Sequence, residues 1–115
     1  MRYQKSSTVE LKRTLTANVK KEIIAFANSD GGTIFIGIED NGEVIGVTNA
    51  DEVSLQVSNM ARDTIRPDVT MFTDYSVETI DGKDVVRINV QKGTRSPYYL
   101  VEKGPLLRQI VSSAV

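Results

Sequence analysis

Residues 33–38 read Thr-Ile-Phe-Ile-Gly-Ile, a β-branched run that is almost wholly apolar. A strand packed on one face alternates apolar and polar positions; a strand without that alternation is covered on both faces. The flanks fit such a strand. Asp30-Gly31-Gly32 precedes it, and glycine tolerates the left-handed backbone on which helices end. Asp40-Asn41-Gly42 follows it, and Asn-Gly suits the positive φ of a tight hairpin turn. Upstream, Val19, Ile23, Phe26 and Ala27 fall at i, i+4, i+7 and i+8, the spacing of one buried helix face. That helix is expected to start at a cap on Thr16 or Asn18 and to run to about Ser29.

The same reading extends in both directions. Residues 8–11 predict a short first strand. Val44 to Val47 predicts the return strand of the hairpin. Val53, Val57, Met60, Ala61 and Thr64 mark the buried stripe of a second helix, which begins at Asn49 or Asp51, runs to about Ile65 and is stopped by Pro67. Phe72 to Thr79 alternates, Asp81-Gly82 is a second turn, and residues 84–90 form the partner strand. After a basic loop at residues 92–97, residues 98–101 and 106–108 predict a final short pair. The order β-α-β-β-α-β-β-(ββ) is α+β: a mixed β-sheet with two helices packed on it. The whole chain of 115 residues reads as one domain.

Composition narrows the chemistry. There is no cysteine and no histidine, so thiolate metal sites, disulfides and the commonest general base are excluded. The serines have no partner at a nucleophile's signature spacing. The glycines match neither a dinucleotide fingerprint nor a phosphate-binding P-loop. No apolar run reaches the roughly 20 residues of a membrane span, and the first residues have no signal-peptide core. The expected compartment is the cytoplasm.

The net charge is −1, from 14 basic and 15 acidic residues. A nucleic-acid partner would therefore need a local patch of cations rather than a basic whole. Lys12, Arg13, Lys20 and Lys21 stand near the front, and Lys92, Arg95, Lys103 and Arg108 near the back. If the first and last strands are neighbours, the two groups form one positive surface, suited to phosphate contacts without base readout. Tyr98 or Tyr99 would add a stacking platform for single-stranded bases, against a buried role for at least one of them. Glu10, Glu39, Asp40 and Asp30 could instead gather around Mg²⁺ or Mn²⁺, with Glu10 and Asp40 as the principal ligands. The plainer alternatives are a charged exposed strand at Glu10 and a turn-former at Asp40.

Several of these stretches together resemble the Schlafen AlbA-like domain family. Val9-Glu10-Leu11-Lys12 is similar to its opening element. Residues 21–42, from Lys21-Glu22-Ile23 through Ala27-Asn28 and Gly31-Gly32 to Asp40-Asn41-Gly42, are similar to its helix, turn, strand and hairpin. Pro97-Tyr98-Tyr99, Lys103-Gly104 and Arg108 are similar to its closing segment. The resemblance implies a nucleic-acid-binding domain at the N-terminus of a longer bacterial transcriptional regulator or helicase-related protein, ahead of a winged-helix or ATPase-like part.

Some vertebrate relatives cleave RNA with three carboxylates. Here Glu10 matches the second, Asp40 or Glu39 the third, and Lys5 stands where the first belongs. Ile110 also departs from a glycine common after Arg108. The leading expectation is non-catalytic backbone binding, to DNA or RNA, through Lys12, Arg13, Lys92, Arg95 and Arg108, with Tyr98 stacking and no cofactor. The alternatives are a metal-dependent nuclease built on Glu10, Asp40 and Glu39, and an interaction module, for which a homodimer by edge-strand pairing is one form.

Overall fold

The computed structural model describes residues 3–101. Strand β1 (Val9–Lys12) is followed by helix α1 (Asn18–Ala27), strand β2 (Gly32–Ile36), helix α2 (Ala50–Thr64) and a two-residue strand β3 (Ile65–Arg66). A single 3-10 turn (Thr70–Phe72) then leads into β4 (Thr73–Ile80), β5 (Lys83–Val90) and β6 (Tyr99–Leu100). The main sheet has the order β1-β2-β5-β4: β1 and β2 are parallel, and the other neighbours are antiparallel. This is the α+β architecture that the sequence implies.

The doubly covered strand is β2. Ile34 and Ile36, with Val86, Ile88 and Val90 of β5, pack under the helices. Phe35 points the other way, into a smaller cluster with Leu11, Ile38, Ile80 and Val85. Each fully buried aliphatic side chain contributes about 1.5–3 kcal/mol, so both faces stabilise the sheet. The four residues expected on the inner face of α1, Val19, Ile23, Phe26 and Ala27, are the four it buries. Helix α2 lies over β4 and β5, burying Val57 and Ala61.

Two local expectations need correction. Residue 17, not Thr16 or Asn18, occupies the N-cap of α1, and no side chain caps it. Val44 to Val47 is not a strand: one bridge joins Ile38 to Val44, and the backbone then turns away. Gly37, at φ +111°, is responsible, because its carbonyl accepts from both Ile45 and Gly46 and breaks the ladder. The final pair expected between residues 98–101 and 106–108 falls partly outside the described residues; within them, Tyr99–Leu100 pairs with β3, through Ile65↔Leu100 and Arg66↔Tyr99.

Candidate nucleic-acid interface

Strand alternation decides which charges meet. Glu10 and Lys12 sit opposite Ile34 and Ile36, so both side chains leave β1 on the helix-covered side, beside α1. There Lys12 Nζ contacts Glu22 of α1 and lies 3.7 Å from Glu10. Lys5 Nζ reaches the same Glu10 at 3.3 Å and Asp40 at 3.0 Å. Arg13 Nε lies 3.5 Å from Glu39. The bond to Asp40 and the field of Glu10 raise the Lys5 pKa, so Lys5 stays a cation. Burial raises the Glu22 carboxyl against the opposing pull of Lys12.

Glu10 and Asp40 are therefore brought together, as a shared divalent ion would require, but around an ammonium group. Glu39 is drawn off to Arg13. Among the described residues no group of three or more carboxylates is placed to hold a metal ion. A cation between two carboxylates opposes a second one by direct repulsion. The donor set does not fit a metal.

The cations expected to hold phosphate separate into two kinds. Lys12 and Arg13 are committed to carboxylates, and Lys12 is largely covered. Lys92 and Arg95 are exposed, and neither has a carboxylate partner among the described residues; the same holds for Lys21 on α1. Arg108 and Lys103 lie outside the described residues. Among the described residues the first and last strands are not neighbours, since β6 pairs with β3 and not with β1.

The loop at residues 91–98 is nevertheless fixed to α1 by another route. Asn28 Nδ2 donates to the Tyr98 carbonyl at 3.1 Å, and the Tyr98 N–H donates to Asn28 Oδ1 at 2.7 Å. The Gly93 N–H donates to the Ala27 carbonyl at 2.9 Å. Lys21, Ala25 and Asn28 share one exposed helix flank at i, i+4 and i+7, so Lys21 lies on the side that leads to this loop.

Tyr98 is not a stacking platform. Its ring is in the core at 3% exposure, edge-on to Phe72, and its hydroxyl accepts from the Arg95 N–H. Its neighbour Tyr99 is 55% exposed. The paired tyrosines thus have one inward and one outward ring, as strand alternation demands, and a sequence alone does not say which. The Asn28 clamp and the bridging position of Lys5 were also missed. The departure at Lys5 was the one available signal for the second.

The sequence matches the family model described as "Schlafen, AlbA_2" over residues 5–112. The fold is similar to the N-terminal domain of an ATP-dependent DNA helicase RecG-related protein from Nitrosomonas europaea, at 24% identity and a TM-score of 0.71. That match covers 89% of this chain and 75% of the other. It is also similar to the DIP2311 protein from Corynebacterium diphtheriae, at 20% identity and a TM-score of 0.60, covering 83% of this chain and 20% of the other. No protein of curated function matches.

Proposed function

The chain belongs to the Schlafen, AlbA_2 family, and on that premise we propose that it binds the sugar–phosphate backbone of DNA or RNA without cleaving it. The observation that carries this reading is the trio Lys21, Lys92 and Arg95, exposed and without carboxylate partners among the described residues, around a loop clamped to α1. Fixed cations hold phosphate with less loss of conformational freedom than mobile ones, and read little sequence. Arg13, 71% exposed, can exchange Glu39 for a phosphate at little cost, because surface ion pairs are weak. Tyr99 is the residue positioned to stack on an unpaired base.

The helicase-related description of one structural neighbour agrees with a nucleic-acid role. The wider setting we propose is an accessory domain of a bacterial, cytoplasmic transcriptional regulator or helicase-related protein. Glu10 and Asp40 are given no catalytic part, because they neutralise Lys5.

Fluorescence anisotropy with labelled single- and double-stranded DNA and RNA tests the proposal. Lys92→Ala and Arg95→Ala are each expected to weaken binding several-fold whatever the sequence. Tyr99→Ala should weaken single strands selectively, by about 1–3 kcal/mol. Failure to bind at about 50 mM salt would overturn the reading. Cleavage of the probe in Mg²⁺ that is lost in Glu10→Gln would replace it with the nuclease.

A further inference from the structure

The sheet ends on one side at β4, whose outer edge no described strand covers. The turn at Asp81-Gly82 sets Ile80 opposite Lys83. In a hairpin closed this way, residues 74, 76, 78 and 80 exchange their backbone bonds with β5. Thr73, Tyr75, Val77 and Thr79 therefore direct their N–H and C=O groups outward. This edge is eight residues long and has no proline. Its flanks are apolar for a surface: Val77 is 36% exposed, Leu55 of α2 53% and Met71 87%. An open edge of this kind is a template for another strand.

The charges beside the edge say which strand. Helix α2 runs along β4 with its ends in opposite environments. At one end Asp51 and Glu52 share a hollow with Val77 and Asp84. At the other, Arg62, whose Nε also lies 3.6 Å from the exposed Asp63, shares a hollow with Ser58, Thr73 and Tyr75. A second copy, related by a two-fold axis, presents the same edge in the antiparallel sense. Its Arg62 then faces the acidic end of the first, and the reverse. An isologous contact repeats each such pairing twice.

The register follows from the same charges. An axis at Val77 would bring the two acidic hollows together. An axis at Ser76 would set Asp74 directly opposite Glu78 of the second copy, and like charges so placed are destabilising. An axis at Tyr75 avoids both. It pairs Thr73 with Val77 of the second copy through outward backbone groups, sets Asp74 opposite Ser76, and brings Asp51 toward Arg62 of the other helix. We propose that this chain forms a two-fold homodimer by antiparallel β4–β4 pairing about Tyr75, with Asp51 and Arg62 as reciprocal partners. The dimer does not depend on nucleic-acid binding.

Sedimentation equilibrium of the full chain across the micromolar range should show a monomer–dimer equilibrium; a monomer throughout would overturn the proposal. Arg62→Glu and Asp51→Lys should each raise the dissociation constant by ~10-fold. The double variant should restore it, and failure of that rescue in a variant with an unchanged circular-dichroism spectrum would overturn the pairing. The register has a separate readout, because the chain has no cysteine of its own. An equimolar mixture of Asp74→Cys and Ser76→Cys chains should cross-link under mild oxidation faster than either alone. Equal rates would overturn the axis at Tyr75.

Discussion

Lys12 places one ammonium group between Glu10 and Glu22, and Glu22 needs it most. Glu22 Oε1 is buried without a hydrogen-bond partner among the described residues, and burial, helped by the nearby charge of Glu10, pushes its pKa up. Lys12 opposes that shift. The expected outcome of Lys12→Met is a loss of about 1 kcal/mol of folding stability at neutral pH, a fraction of the cost of breaking a fully buried pair because both groups keep some contact with water. The sign with pH is fixed. A carboxyl whose folded pKa is raised favours the folded state below its unfolded value of 4.5 and loses that contribution as pH rises through the folded pKa. Removing Lys12 raises the folded pKa further. The stability gap between variant and parent should therefore be widest near neutrality and shrink as pH falls through that range, in urea titrations at a series of pH values. A gap independent of pH would mean that Lys12 acts through packing of its methylene stem.

At the scale of elements, the loop at residues 91–98 is the least regular segment and among the most constrained. A Cβ at Gly93 would stand 2.3 Å from the Tyr98 ring and hydroxyl. Tyr98 cannot yield easily, since Asn28 grips its backbone on both sides and Phe72 closes on its ring. Gly93→Ala is expected to cost about 1–3 kcal/mol, the range for forcing atoms into a packed site. It should also weaken nucleic-acid binding, because Lys92 and Arg95 lose their anchorage. Denaturant melts and anisotropy on one preparation check both, and a loss of stability with unchanged affinity would separate the clamp from the interface.

The α+β order was legible in the sequence, as were both helices, strand β2 and the β4–β5 hairpin, because their spacing and turn residues report burial and chain reversal directly. The pairing of β3 with β6 was not, because two residues carry no periodicity and their partners lie 35 positions apart, as in Ile65↔Leu100. The choice between Tyr98 and Tyr99 was lost for the same reason. The Lys5–Glu10–Asp40 cluster needed the hairpin to fold back beside β1, and spacing alone does not place it there.

The whole molecule carries a net charge of −1, so its long-range field gives a polyanion no general attraction. Binding then rests on local contacts, and their number is readable from salt. Each phosphate neutralised on duplex DNA contributes about −0.9 to the slope of log affinity against log salt. Three cations, Lys21, Lys92 and Arg95, give a slope of about −2.7, so affinity should fall about 40-fold between 50 and 200 mM salt. Exchange of Arg13 from Glu39 to phosphate would add one further step. Lys12 and Lys5 should add none, because their charges are already neutralised inside the fold. The measurement is a salt titration of duplex affinity in the parent and in Lys92→Ala, whose slope should be shallower by about 1. A parent slope near −6 would require twice the cations this surface offers, and would move the interface toward basic residues beyond Val101. A slope near zero, with binding retained, would take the phosphates out of the interaction and leave base stacking on Tyr99 to carry it.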